Sequence, residues 1–396
     1  MTARISPFDT SEIIFRSKGC AAMIRIVSCV LVVATALFTI SFSLPAAWPQ
    51  QHAAPVAPKP ATASAAAPDA LLAELLSPKP DVQKAALDSL VKLDKLSKLR
   101  LIPRLIKELD NPDFDHYYGA IVALGNVGPA ALPALTKVMQ GEGDARRRYA
   151  AMAIGMMGQK AESVVPVFVT CLSDKDLDLR LIVADELPNL GPAAKAAVPT
   201  LITGTRDENV YFRLAAIKAL GEIGPGAEPA IPFLIDALKE GVYGSDDALG
   251  GIGAAAVPAL LAVFKSSKDK ALLDRATSAF TDMGPQAAPA VPELIAALKN
   301  KDTRLGAISA LQAIGPAAKD GVPALIAILN GSPEYSNAPP EGYEYVLDKN
   351  TNSKFVEEMG DMFDQGSAAA ALKKIATPEA LAAEKAYDDR EAAKKK

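Results

Sequence analysis

Leu220-Gly-Glu-Ile-Gly-Pro-Gly-Ala-Glu-Pro-Ala-Ile-Pro-Phe-Leu-Ile235 is the clearest copy of a phrase that recurs along most of the chain. Its Gly-Pro glycine aligns with those of six other copies, and the successive spacings are 30, 33, 33, 29, 31 and 31 residues. The aligned glycines are Gly128, Gly158, Gly191, Gly224, Gly253, Gly284 and Gly315. Such a period indicates an array of repeated structural units.

The residues before each aligned glycine have the spacing of an amphipathic helix. The positions one and four residues before the glycine are apolar in all seven copies, and the position eight residues before it is small in most of them. Spacings of three and four residues place these side chains on one helical face. The pattern predicts a helix A in each repeat, with Leu220 and Ile223 buried against neighbouring helices.

The aligned glycine predicts the end of helix A, because glycine turns the chain left-handed at little energetic cost and a following proline stops the helix. A second apolar helix, helix B, is predicted next, with a proline in its first turn. These prolines are Pro133, Pro166, Pro199, Pro232, Pro258, Pro292 and Pro323. The copies at Gly128 and Gly253 have 5 residues from glycine to proline where the others have 8, so tighter turns are predicted there.

Two helices of this size cannot bury their apolar faces alone, so neighbouring repeats must stack into an α-solenoid. The phrase Leu-Gly-x-Ile-Gly-Pro followed by Val-Pro-x-Leu-Ile resembles the bacterial HEAT repeats of the phycobilisome-lyase-like family, over Asp81 to Leu329. The resemblance implies an all-α, right-handed superhelical solenoid of about eight to nine helix pairs. It also raises a role as a lyase-type enzyme accessory factor, although a repeat alone transfers no site residues.

Composition argues against nucleic acid as a partner. The 396 residues carry a formal charge of −4, and nucleic-acid recognition usually needs a clustered basic face. The apolar content is 50% but only 6% of the chain is aromatic, which implies helix packing through small residues. Cys171 is the one cysteine in the array, and we interpret it as a structural residue.

The N-terminal residues predict export. Residues 1–25 form a basic flank, and residues 26–44 contain no charged side chain. This run fits a cleaved signal peptide, a retained transmembrane anchor or a buried soluble helix, and either Met1 or Met23 could be the start. Residues 45–69, rich in alanine and proline, predict a linker. The array is therefore expected outside the cytoplasm, in the periplasm or cell envelope, with possible membrane attachment through the apolar run.

The array is predicted over residues 70–330, with a divergent first repeat. Asp81 is expected to cap the first helix A. This repeat is the most basic, with Lys92, Lys95, Lys98, Arg100, Arg104 and Lys107. A solvated surface fits these residues, and so does a site for an acidic partner or a lipid headgroup.

Four repeats place an arginine 11 residues before the glycine, with an aspartate just upstream. The arginines are Arg147, Arg180, Arg213 and Arg304, and the aspartates are Asp144, Asp178, Asp207 and Asp302. HEAT-like arrays tend to form an Asp/Arg ladder from such a series. Exposed pairs of this kind would stabilise the fold by roughly 0 to 1 kcal/mol each.

Residues 331–353 interrupt the repeat pattern and are predicted to form a loop rich in tyrosine and proline. Its tyrosines, Tyr335, Tyr343 and Tyr345, are the candidate partner contact, because tyrosine is enriched among the residues that dominate protein interfaces. Residues 354–396 are predicted to hold capping helices and a charged tail, with a helix over Ala368 to Ile375 and Thr377 as the cap of the last one.

The sequence offers little material for catalysis. His52 and His116 are its two histidines, so a histidine-based metal site cannot be assembled. Asp113, Asp115 and His116 lie together but have the pattern of turn and helix-cap residues, and no Gly-rich phosphate loop is present. We expect no catalytic, cofactor-binding or metal-binding residues, and a non-catalytic scaffold that binds another protein.

Overall fold

The computed structural model describes residues 68–335 and 353–394, except for the side chains of Pro68 and of residues 353–360. Every regular element within these ranges is a helix. The predictions for the basic flank, the apolar run and most of the linker concern residues 1–67 and lie outside the described residues. Residues 336–352 of the loop also lie outside them.

The described residues contain nineteen α-helices, which form one entry helix and nine pairs. The entry helix is α1 (Pro68–Leu75), and the first pair is α2 (Pro80–Lys92) and α3 (Lys95–Glu108). The seven aligned repeats contribute α4 (Phe114–Val127), α5 (Leu132–Met139), α6 (Asp144–Gly155), α7 (Val165–Cys171), α8 (Leu177–Glu186), α9 (Val198–Gly204), α10 (Val210–Ile223), α11 (Ile231–Glu240), α12 (Ser245–Ile252), α13 (Val257–Ser266), α14 (Lys270–Met283), α15 (Val291–Ala297), α16 (Lys301–Ile314) and α17 (Val322–Leu329). The last pair is α18 (Ser353–Ile375) and α19 (Pro378–Lys394). The stacked helix pairs confirm the predicted all-α solenoid, and its superhelical hand stays a prediction.

Five aligned glycines, Gly128, Gly224, Gly253, Gly284 and Gly315, directly follow a helix A, whereas Gly158 and Gly191 lie three and five residues beyond the ends of α6 and α8. The glycine backbone also differs from the predicted left-handed helical cap. Gly224 has φ 71° and ψ −137°, and Gly315 has φ 69° and ψ −135°. This region, with positive φ and strongly negative ψ, is open essentially to glycine alone. Glycine is thus required here more strictly than at an ordinary left-handed cap. A 3₁₀ segment then leads into helix B, with 4 residues at Gly128–Ala131 and Gly253–Ala256 but 7 at Gly224–Ala230, which confirms the tighter turns.

The core of the array is the set of apolar side chains that the period predicted. Leu220, four residues before Gly224, is fully buried, and so are its equivalents Leu124, Ile154, Leu187, Leu249, Phe280 and Leu311. Ile223 is only half-buried, because it borders a surface depression together with Pro188 and Gly226. Burial of Ile223 was therefore predicted too strongly.

Polar side chains cap most of the A helices. Asp113 of α4 accepts hydrogen bonds from the backbone N–H groups of Asp115 (2.9 Å) and His116 (3.4 Å), as predicted. Asp81 does not cap α2, because the helix begins one residue earlier at Pro80 and Asp81 lies in its first turn. At the last helix, the hydroxyl of Thr377 accepts a hydrogen bond of 3.1 Å from the N–H of Ala380, which confirms the predicted cap.

Arginines connect consecutive repeats, but not through all the predicted aspartates. Arg147 pairs with Asp174, and Arg180 pairs with Asp207 at 2.8 Å. In each case the aspartate comes 27 residues later, in the connection that precedes the next helix A. Asp144 lies at the start of the same helix as Arg147, 3.9 Å from that arginine. This pair therefore lies within one helix and does not connect two repeats.

The other predicted members take different roles. Asp178 binds Arg148 at 2.8 Å, and Arg213 donates to the backbone oxygen of Asp207 at 2.7 Å. Asp302 lies in the first turn of α16, where its backbone N–H donates to the side-chain oxygen of the cap residue Asn300 at 3.0 Å.

The ladder is also more deeply buried than predicted. The Arg304 side chain on α16 is 1% exposed. Its Nε donates to the Leu298 carbonyl oxygen at 2.7 Å, and its Nη1 donates to Asp364 of α18 at 2.9 Å. Arg147 is likewise buried and donates its Nε–H to the Met139 carbonyl oxygen at 3.0 Å. The small stabilisation predicted for exposed ion pairs therefore does not apply to these two arginines.

Two segments of the described residues are long and apolar enough to cross a membrane, Phe114–Met139 and Ser245–Ser266. Each comprises a helix A, a 3₁₀ turn and a helix B, and 56% and 50% of their most apolar windows are buried inside the array. Their apolar side chains are accounted for by this packing.

Candidate functional site

The candidate site is a notch where one helix A is too short. Helix α12 has 8 residues, whereas α10 before it and α14 after it have 14 each. The spacing from Gly224 to Gly253 is the shortest in the array, and α11 extends to Glu240, so few residues remain for this helix A. The six missing residues correspond to about 9 Å of helix.

A tight connection closes the start of α12. Gly241 and Gly244 both have positive φ, 75° and 78°. The hydroxyl of Ser245, the first residue of α12, donates back to the Val242 carbonyl oxygen of this connection at 2.7 Å. Across the gap, Nε of Arg275 on α14 donates to the Leu238 carbonyl oxygen of α11 at 3.0 Å. The repeats on either side of the short helix are thus held together, and the notch is a fixed feature of the packing.

Helices α10 and α12 approach each other through small residues at the base of the notch. A Cβ placed on Gly251 would lie 2.4 Å from the Gly221 carbonyl oxygen, and one on Gly221 would lie 2.6 Å from Cα of Ala248. Side chains larger than hydrogen would force these helices apart. The glycines therefore set the depth of the notch.

The notch encloses about 560 Å³ and has a largely apolar wall. It is lined by Leu214, Ala215, Lys218, Gly221, Glu222, Tyr243, Gly244, Asp247, Ala248 and Gly251. Tyr243 at its mouth is 82% exposed, and Tyr211, one turn before Leu214 on α10, is 59% exposed. Tyrosines that combine this exposure with a nearby depression have the character of interface anchors.

Charged groups around the notch are mostly acidic. Lys218 pairs with Asp185 and lies 3.5 Å from Glu222. Burial acts to lower the pKa of Lys218, but the hydrogen bond to Asp185 and the charge of Glu222 raise it overall. On the other side, burial and then repulsion by Asp247 and Asp246 raise the pKa of Asp282.

Glu186 extends this acidic region toward α8. Its carboxylate lies directly over Gly155 at the end of α6, where a Cβ would come within 1.9 Å of its Oε2. Burial, reinforced by the charge of Asp185, raises the pKa of Glu186 to about 7, although a 3.0 Å hydrogen bond from Asn189 opposes the shift. This region would favour a partner that brings positive charge.

The predicted tyrosine contact is only partly described. Tyr335 ends a 3₁₀ segment, Pro333–Tyr335, and is 7% exposed. Its ring lies 5.9 Å from the Arg304 guanidinium, so its side chain supports the buried ion pair and presents little surface to a partner. Tyr343 and Tyr345 lie outside the described residues, and their contact stays a prediction.

The other singled-out residues have structural contacts. His116 Nδ1 lies 3.1 Å from a Glu108 oxygen and from the Asn111 side-chain nitrogen. Cys171 is buried in α7, and burial raises the pKa of its thiol. No group of three histidine, cysteine or acidic side chains in the described part of the chain could hold a metal ion.

The notch was not predicted from the sequence, because the prediction rested on the positions that all seven repeats share. Two signals were present, the short spacing before Gly253 and the Gly241-Val-Tyr-Gly244 connection with its exposed tyrosine. Neither signal belongs to the pattern that the other copies share, so neither entered the prediction.

Comparisons with known proteins address the repeats. A sequence model of HEAT repeats matches residues 68–155, 102–180 and 165–245. No curated protein matches the chain.

Solved structures that resemble it include the karyopherin Kap121p bound to the extreme C-terminus of the protein phosphatase Cdc14p, at 14% identity and a TM-score of 0.44, covering 78% of this chain and 41% of that one. Importin beta matches at 13% identity and a TM-score of 0.46, covering 78% of this chain and 50% of that one. This chain thus spans half or less of the length of these two proteins.

A structure of the complex of CpcE and CpcF of phycocyanin lyase from Nostoc sp. PCC7120 matches at 20% identity and a TM-score of 0.31, covering 46% of this chain and 98% of that one. The narrower resemblance to phycobilisome-lyase-like repeats stays a prediction. The sequence match establishes that residues 68–245 of this chain are built of HEAT repeats.

Proposed function

We propose that this protein is a non-catalytic scaffold that binds another protein and is displayed outside the cytoplasm. The notch beside α12 carries the proposal, because it combines a depression of 560 Å³ with two exposed tyrosines on a rigid array. Tyrosine supplies a large contact area with few rotatable bonds, so such residues often dominate binding energy. The acidic groups Asp185, Glu222 and Asp247 would select a partner segment that carries lysine or arginine.

Site-specific photo-crosslinking tests the contact. A benzoylphenylalanine replacing Tyr243 should crosslink a discrete protein in the native cell envelope. The same group at Leu305, which is 51% exposed on α16, is the matched control and should not. Equal crosslinking at both positions would remove the notch as the contact.

Substitution of the tyrosines provides a second test. Tyr211→Ala together with Tyr243→Ala should weaken binding of the crosslinked partner by roughly tenfold or more, since hot-spot tyrosines contribute about 2 kcal/mol or more. The helical circular-dichroism signal should not change, because both side chains are exposed. Undiminished binding would argue against the notch.

The predicted loop contact can be separated from the notch. Replacing residues 336–352 by a Gly/Ser linker removes Tyr343 and Tyr345 but keeps Tyr335 against Arg304. If the notch is the main contact, this variant should retain the crosslink at position 243. Its loss, with the fold intact, would favour the loop tyrosines instead.

Export and lack of catalysis are separate parts of the proposal. An export-dependent reporter fused after Lys396 should be active, and a reporter that works only in the cytoplasm should not. A bound chromophore or measurable turnover on the purified array would favour the accessory-factor alternative.

A further inference from the structure

The first repeat exposes large apolar side chains beside positive charge. Val91 is 54% exposed, Leu96 is 68% exposed and Leu99 is 41% exposed. Nζ of Lys98 donates to the Val91 carbonyl oxygen at 2.9 Å, so the last turn of α2 and the first turn of α3 form one continuous surface. We refer to Val91, Lys92, Lys95, Leu96, Lys98 and Leu99 as the basic corner.

Positive charge dominates this surface. Between Val91 and Lys107 the chain carries six cations, Lys92, Lys95, Lys98, Arg100, Arg104 and Lys107, and one acid, Asp94. The Asp94 carboxylate caps α3 through the N–H of Ser97 at 2.9 Å and its hydroxyl at 2.8 Å. The carboxylate is therefore held at the helix start, and it offsets only one of the six positive charges.

The basic corner continues along the outer side of α3. Leu96, Arg100, Pro103 and Lys107 are exposed at intervals of three and four residues, which places them on one face. The opposite face of α3, with Leu101, Ile102, Leu105 and Ile106, is buried in the array. Helix α3 is thus anchored to the array while its outer face presents leucines among cations.

This combination matches a lipid surface better than a protein partner. Lysine is depleted from the cores of protein interfaces, whereas helices that lie on membranes combine lysine and arginine with leucine. The chain also enters the array here, because Asp69 of α1 pairs with Arg104 of α3. Residues 45–67, which separate α1 from the uncharged run at residues 26–44, can span about 70 Å when extended.

We propose that the basic corner docks onto an anionic lipid surface, with its cations on headgroup phosphates and Leu96 and Leu99 at the acyl boundary. This site is separate from the notch, so the array could bind lipid and protein at once. Attraction to anionic headgroups is screened by salt, so docking requires anionic lipid and low to physiological ionic strength.

The test uses the full chain reconstituted in vesicles, with Cys20 and Cys29 replaced by serine and the buried Cys171 retained. An environment-sensitive fluorophore on Leu96→Cys should shift to shorter wavelength with phosphatidylglycerol-containing vesicles, and not with pure phosphatidylcholine vesicles. High salt should reverse the shift. The same fluorophore on Leu305→Cys is the control and should not respond.

A charge variant gives the second arm. Lys92→Gln, Lys95→Gln and Lys98→Gln together should reduce occupancy of the docked state by about tenfold or more, since each cation contributes to headgroup attraction. Lys268→Gln, Lys270→Gln and Lys299→Gln make the same change in net charge at exposed sites elsewhere and should have little effect.

Three results would overturn the proposal. They are no shift with anionic vesicles, an equal shift with neutral vesicles, and an equal shift at position 305. Binding of a soluble polyglutamate peptide without any vesicle response would assign the basic corner to an acidic protein instead.

Discussion

The repeats that contain α16 and α12 both carry the aligned glycine, but their A helices differ in length and in the residue that stands 11 positions before that glycine. Helix α16 has 14 residues and carries Arg304, which is buried and bonded to the preceding and following elements. Helix α12 has 8 residues, and Val242 occupies the position equivalent to Arg304. In the complete helix α16, this arginine connects the preceding and following elements. Beside the truncated helix α12, the array leaves a notch with the exposed Tyr243 at its mouth.

The largest effect is expected at the buried ion pair of α16. Arg304→Ala would leave Asp364 buried without this partner, so we expect the free energy of unfolding to fall by roughly 3 to 5 kcal/mol. Leu220→Ala, which removes a fully buried side chain next to the notch, should lower it by roughly 2 to 5 kcal/mol. Chemical denaturation of both variants measures the two losses. Hydrogen exchange should localise the Arg304 effect to α16 and α18.

A double variant distinguishes burial of the charge from loss of packing. Arg304→Met with Asp364→Leu replaces both partners by apolar side chains, which is often neutral or stabilising for buried pairs. We expect it to recover most of the lost stability. An effect of Arg304→Ala below about 1 kcal/mol would place this pair with exposed surface pairs and remove the contrast with α12.

The contribution of the acidic region near the notch to the stability of the fold should depend on pH. Burial raises the pKa of Glu186 in the folded chain to about 7, above its ordinary value of 4.5. The folded state therefore binds this proton more tightly than the unfolded state. As a consequence, the contribution of Glu186 to stability falls as pH rises from 4.5 to 7.

Glu186→Gln should then be more stable than the unmodified chain at pH 8, by roughly 1 to 3 kcal/mol. The difference should vanish near pH 4, where the carboxyl is protonated in both states. Denaturant titrations of both proteins across this range measure the difference. A constant difference at all pH values would mean that Glu186 retains its ordinary pKa.

The aligned glycine offers an intermediate effect. Gly224→Ala forces a Cβ into a backbone conformation with φ 71° and ψ −137°, so we expect a loss of about 1 to 3 kcal/mol. Gly366→Ala is the control, because it lies within α18 and a Cβ there would have no neighbour within 4 Å. The control should be neutral or stabilise the chain by about 0.5 to 1 kcal/mol. Equal losses at both sites would indicate that the strain at Gly224 is unimportant.

Local chemistry explains how much of the fold could be predicted from the sequence. The aligned glycines and the prolines behind them act within one repeat, so the starts of helix B and the ends of five of the seven aligned A helices were predicted correctly, whereas α6 and α8 end before their aligned glycines. Buried positions such as Leu220 also follow from the period of a single helix. Contacts between repeats were harder to predict, because they join residues far apart in the sequence. The aspartate that binds Arg180, for example, lies 27 residues further along the chain.

The C-terminal helices show the same limit. A helix was predicted from Ala368, but α18 begins at Ser353. Four apolar residues have helical spacing, Phe355, Met359, Met362 and Phe363, but Gly360 lies among them, Gly366 follows them and acidic residues surround them. The burial of Arg304 against Asp364 depends on this helix, so the buried ion pair could not be predicted either.

The smallest effect on stability is expected in the notch itself. Tyr243 is 82% exposed, and Lys218 is more than half exposed while it pairs with Asp185 and Glu222 on the surface. Substitutions at exposed sites usually change stability by no more than about 0.5 kcal/mol, and surface ion pairs contribute about 0 to 1 kcal/mol.

Tyr243→Ser and Lys218→Ala should therefore leave denaturation midpoints nearly unchanged. Tyr243→Ser should still weaken binding of the partner that is crosslinked at this position. If either substitution destabilised the array by as much as Gly224→Ala, the notch residues would be part of the packing, and the contrast between a closed α16 repeat and an open α12 repeat would fail. If Tyr243→Ser keeps its stability but binds the partner less tightly, Tyr243 serves binding and does not contribute to the packing of the array.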